Sequence, residues 1–166
     1  MSYRLLSLAA VVVGLPIAAA TILPKAGTQD PAMQNPAMHT VAAADLAWSP
    51  IEVPGFKSGM QIAPVEGDPS VADQPYTLRL LMPDGYAFPP HFHPKAENVT
   101  VLEGTFQLAM GEKFDESTLK TYEPGDFLHI EAKNAHFGKV QGRTVLQLHG
   151  IGPFAIQVVK GQEMAD

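Results

Sequence analysis

The sequence predicts an all-β domain of the sandwich or barrel kind, and three observations carry that expectation. Turn-forming stretches recur about every eight to twelve residues from Leu46 onward, among them EVPGFKSG, MPDGYAFPP, YEPGD, EAKNAHFG and GIGP. That is the punctuation of short strands. The segments between them are rich in Val, Leu, Phe, Tyr and Thr, side chains that suit a pleated, half-buried surface. Fifteen prolines are expected in the gaps, at Pro83, Pro89, Pro90, Pro94, Pro124 and Pro153 among others. Within a central strand each would delete a ladder hydrogen bond.

The strands follow in order. Tyr76–Met82 (YTLRLLM) runs up to the turn MPDG. Asn98–Leu102 and Thr105–Met110 flank Gly104, and Phe127–Ile130 follows YEPGD. Thr144–His149 follows VQGR, and Ala155–Val159 follows GIGP. Asp115–Lys120 has room for one helical turn; no longer amphipathic helix can be drawn after the first twenty residues.

Residues 1–20 combine a basic start, MSYR, with the apolar run LLSLAAVVVGLPIAAA. The small residues Ala18, Ala19 and Ala20 precede Thr21 as the expected first mature residue, in the form of a secretory signal peptide. The expected destination is the periplasm; an apolar run retained as an anchor is the alternative. Residues 21–45 are rich in Ala, Pro and Met, carry the near-repeat QDPAM/QNPAM and read as a flexible linker. Met33, Met38 and His39 are soft donors, but no ligand spacing repeats. Residues 46–166 remain as the folded domain, with no integral membrane segment after cleavage.

The formal net charge is −6, with no run of Lys or Arg, which argues against a nucleic-acid partner. There is no cysteine, so any metal must be held by His, Asp, Glu or water. The stretch HFHPKAE at 91–97 offers such donors. In an extended chain His91 and His93 point the same way, and Glu97 is an even number of positions on. Two imidazoles and a carboxylate are costly to bury singly; a shared divalent cation offsets that cost.

The stretch from Gly85 to Gly104, GYAFPPHFHPKAENVTVLEG, resembles the first signature motif of the cupin superfamily, G-x5-H-x-H-x3-E-x6-G, at every spaced position. A second motif, G-x5-P-x-G-x2-H-x3-N, is matched at Gly125 and His136 only. Glu131, Lys133 and Val140 stand where it has Pro, Gly and Asn, and Asn134 is the residue expected to supply a left-handed turn position. The resemblance implies a double-stranded β-helix, or jelly-roll, barrel. Residues 46–66 and 153–160 would wrap it. It also implies His91, His93, Glu97 and His136 as ligands to one divalent Fe, Mn, Ni, Cu or Zn ion, leaving positions for water or a small-molecule ligand.

The function implied is a small-molecule metalloenzyme, with oxygenase chemistry ahead of isomerase or lyase chemistry. The alternative is a non-catalytic metal- or ligand-binding or sensor module. A homodimer is expected from the same resemblance. On the strand TVLQLHG, Gln147 and His149 share one face and Leu146 and Leu148 the other. If the polar face looks inward, His149 is the candidate catalytic acid or base; if the leucines do, it is a rim residue. Arg79 and Gln107 are weaker pocket candidates, and His129 is expected to face outward. Phe88 is placed at the pocket wall and Trp48 as a plug at the domain edge.

Overall fold

The computed structural model describes residues 38–164. The expected signal peptide and most of the linker, Met33 included, lie outside the described residues. A compact unit begins at Thr40 and holds every strand described below. Among the described residues no helix is long and apolar enough to cross a membrane.

The strands are β1 (Ser49–Pro50), β2 (Gln61–Glu66), β3 (Pro75–Met82), β4 (Ala87–Phe92), β5 (Glu97–Met110), β6 (Lys120–Tyr122), β7 (Phe127–Ile130), β8 (His136–Ile151) and β9 (Gln157–Val158). They pair in the order β1-β2-β3-β8-β4-β9, and β5 joins β8, β6 and β7. The two long strands β5 and β8 run antiparallel over their whole lengths, from Glu97 opposite Gly150 to Met110 opposite His136. Each also serves two other neighbours. The start of β8 pairs with β4 and its end with β3; the start of β5 pairs with β7 and its second half with β6. One sheet thus curls over on itself as an all-β barrel.

The corner in β5 falls at Gly104, where the register shifts against β8. Its φ is 77°. A Cβ there would meet Thr144 Oγ1 at 2.3 Å and the Arg143 carbonyl at 2.5 Å, so only glycine fits. Alternation then sorts the side chains. Tyr76, Leu78, Leu80 and Met82 from β3 turn inward with Val99, Val101, Phe106 and Leu108 from β5, and with Val140, Leu146 and Leu148 from β8. Each such side chain contributes roughly 1.5–3 kcal/mol on burial.

Several expected boundaries shift. The two strands foreseen at 98–102 and 105–110 are one bent strand, 144–149 is part of the longer β8, and 155–159 shortens to Gln157–Val158. The helical turn expected within Asp115–Lys120 is a 3-10 turn at Glu116–Thr118, capped where Asp115 Oδ1 accepts from the Ser117 N–H at 2.9 Å; a second 3-10 turn lies at Ala43–Asp45. The prolines do not all stay in gaps. Pro89 and Pro90 lie inside β4, a strand not foreseen at all, at the irregularity in its register with β8 between Phe88 and His91. A bulge tolerates residues that cannot donate to the ladder. Trp48 is half-buried at the domain edge.

Candidate metal centre

The two histidines of HFH do not open a strand; they close one. His91 is the penultimate residue of β4 and is paired with His136, the first residue of β8. His93 follows directly, a bend takes up residues 94–95, and Glu97 opens β5. Three strand ends therefore bring all four side chains to one end of the barrel. Each is buried, none more than 6% exposed. Nitrogen donors of His91, His93 and His136 lie within 4.8 Å of one another. The Glu97 Oε1 atom is 3.2 Å from Nε2 of His93 and 3.2 Å from Nε2 of His136.

The outer nitrogens fix the rings. His91 Nδ1 lies 2.9 Å from the Pro89 carbonyl, His93 Nδ1 2.8 Å from that of Ala155, and His136 Nδ1 3.0 Å from that of Asn134. A carbonyl can only accept, so each Nδ1 carries the hydrogen and donates it. The opposite nitrogen, Nε2, is thereby presented to its neighbours. This backbone support is the arrangement that orients metal-binding imidazoles.

Lys133 supplies the left-handed turn position expected of Asn134. Its φ is 64°, at the place where the motif has glycine, and its N–H donates to the His93 carbonyl at 2.8 Å. Asn134 contributes its carbonyl instead. One short turn thus holds the backbone of one histidine and the ring of another.

Charge is distributed unequally over the cluster. Burial, followed by the nearby His136 and His93 rings, holds the His91 pKa well below its ordinary 6.5. Burial also pulls on His93, but the hydrogen bond and charge of Glu97 outweigh it and raise that ring's pKa above 6.5. For Glu97 burial pushes upward, and the hydrogen bonds from His136 and His93 more than reverse it, leaving the carboxyl well below the usual range. Tyr76, on β3, is pushed up to about 12 by burial and by the Glu97 charge. Three imidazoles and one ionised carboxylate are a donor set that suits a divalent transition metal.

The four polar groups face a cavity of about 50 Å³ that is otherwise lined by apolar side chains, among them Phe88, Leu146 and Leu148. With the leucines inside, His149 is on the outer face. It is exposed, and its ring lies over Phe127 with centroids 6.5 Å apart. The role of acid or base foreseen for His149 is therefore corrected: strand parity turns it away from the site. Gln147 and Arg79 are also outside, where Arg79 Nε donates to Gln147 Oε1 at 3.2 Å. Gln107 bonds Thr121 and does not line the cavity, and His129 faces outward as foreseen. Two aromatic rings were missed. Phe56 meets His91 edge-on at 5.1 Å, and Phe154 stacks on His93 at 5.3 Å. Phe56 follows the turn Pro54-Gly55 and Phe154 follows Gly152-Pro153, a signal that lies outside both motifs.

The barrel is that of a cupin fold. Residues 77–149 match the family model described as a cupin domain. Among solved structures the chain is similar to the polyketide cyclase RemF from Streptomyces resistomycificus, with TM-score 0.62 and 22% identity over 76% of this chain and 88% of that one. It is also similar to the DMSP lyase DddQ from Ruegeria pomeroyi, with TM-score 0.55 and 18% identity over 72% and 64%. An RmlC-like cupin from Shewanella frigidimarina gives TM-score 0.51 and 12% identity over 75% and 94%. At these identities the likeness is one of fold. No curated protein matches the chain.

Proposed function

We propose that this protein holds one divalent transition-metal ion through Nε2 of His91, His93 and His136 with the Glu97 carboxylate, and presents it to a small-molecule ligand. One observation carries the reading. Three buried imidazoles give their Nδ1 hydrogens to three backbone carbonyls, so three Nε2 atoms are turned inward by design of the backbone. Imidazoles serving only as packing would not need the same nitrogen anchored three times.

A bound ion of this class (Fe, Mn, Ni, Cu or Zn) supplies Lewis acidity or the activation of dioxygen. The chain's own part is to fix the donors, to keep Glu97 ionised and to exclude water with an apolar wall. Oxygenase-like chemistry is the first reading. Non-catalytic capture is the second, and a specific observation favours it: besides the four donors, no side chain among the described residues that line the cavity can move a proton.

Metal analysis of untagged protein tests the proposal. About one ion per chain is expected, with loss in the His91→Ala, His93→Ala double variant; stoichiometric metal in that variant would overturn it. Oxygen uptake by the Fe(II)-loaded protein with catechols and β-diketones separates turnover from retention.

A further inference from the structure

The cavity wall is informative for what it lacks. Its lining residues include Phe56, Met60, Met82, Phe106, Ile130 and Phe154, and outside the four proposed donors every one is apolar. Among the described residues no Lys or Arg reaches it, nor does any Ser, Thr, Asn or Gln. Three of the cations are paired outside the cavity: Lys95 with Asp73 at 3.2 Å, Lys139 with Glu116 and Arg143 with Glu103. Arg79 spends its guanidinium on Gln147 outside the barrel.

A ligand that enters must leave its own polar groups either on the ion or against hydrocarbon. A second carboxylate or a row of hydroxyls would be desolvated with no partner. The wall instead offers aromatic rings and the two adaptable thioethers of Met60 and Met82, which suit apolar surface.

Resting on the metal reading above, we infer that the site selects small ligands with a single oxygen-donor end and an uncharged, apolar body, and rejects dicarboxylates and polyhydroxylated compounds. The selection comes from the wall, so it holds for whichever ion is bound.

Two probes of equal length separate the ends. Butyrohydroxamate and succinate monohydroxamate carry the same chelating group; they differ by a remote methyl against a remote carboxylate. Wild-type protein is loaded with Ni(II), its metal content is measured, and both probes are titrated by calorimetry. Butyrohydroxamate is expected to bind at least tenfold more tightly. Equal affinity, a preference for the succinate derivative, or no binding of either to loaded protein would overturn the inference. Protein that takes up no ion would instead defeat the metal reading on which it rests, and the metal analysis tells the two failures apart.

Discussion

The two halves of the site reach the same precision by different means. The first half, Gly85 to Gly104, keeps every spaced position of its motif; the second keeps only Gly125 and His136. Yet His136 is as deeply buried as His91 and His93, and its Nδ1 is anchored in the same way. The second half replaces a flexible glycine by Lys133 held at φ 64°. What the site requires there is a backbone conformation and the groups it presents. The residue type matters only through the cost of adopting them.

The first half does contain a position where the residue type is absolute. Gly104→Ala sets a methyl against backbone and a hydroxyl at 2.3–2.8 Å and is expected to cost about 4 kcal/mol. Gly125, the glycine that opens the second half, also has positive φ, 100°, but nothing lies within 4 Å of its missing Cβ. Gly125→Ala should cost only backbone strain, about 1–2 kcal/mol. Urea unfolding of both metal-free variants measures the difference. Equal losses would mean that crowding at the β5 corner is relieved by a small shift and that the two halves do not differ.

A smaller effect separates His91 from His93 within the first half. The depressed pKa of His91 makes its contribution to metal-free stability full above pH 6.5 and lost as pH falls. The raised pKa of His93 works the other way: its contribution is present below pH 6.5 and is lost as pH rises through the folded value. An ion at Nε2 must displace the proton that His93 shares with Glu97. Zn(II) affinity is therefore expected to rise about tenfold, or about 1.4 kcal/mol, per pH unit from pH 6.5 up to that folded value and then to level. Calorimetry in buffers of different ionisation enthalpy counts the proton released. Flat affinity with no proton release would show that His93 is neutral before the ion arrives.

How much of this was legible in the sequence depends on what each feature rests on. The all-β fold is written in turn spacing, and the donor set in spacing and parity along one chain. His136 stands out through its distance from Gly125. The inward face of β8 was not legible, because TVLQLHG alternates equally well in either sense; only closure of the barrel against Val99 and Val101 chooses the leucines. β4 was hidden by Pro89 and Pro90, since a bulge that absorbs two prolines depends on the strand across from it. Phe56 and Phe154 come from segments far from the motifs and meet the histidines only through folding. The backbone carbonyls that orient the three rings have no residue-type signature.

The smallest effect is the most pointed test of how the two halves compare. Lys133 adopts a left-handed conformation without being glycine, and its N–H and the next carbonyl serve His93 and His136. Lys133→Gly restores the motif's residue and relieves the Cβ strain, but it gives the unfolded chain more freedom to lose. The two terms oppose each other, so stability should rise by about 0.5–1 kcal/mol at most. Zn(II) affinity should stay within about twofold, because neither backbone group is altered. Denaturant unfolding and competition with a chelator read the two quantities separately. A variant that lost metal affinity while gaining stability would show that the lysine side chain, and not the turn it sits in, holds the second half of the site in register with the first.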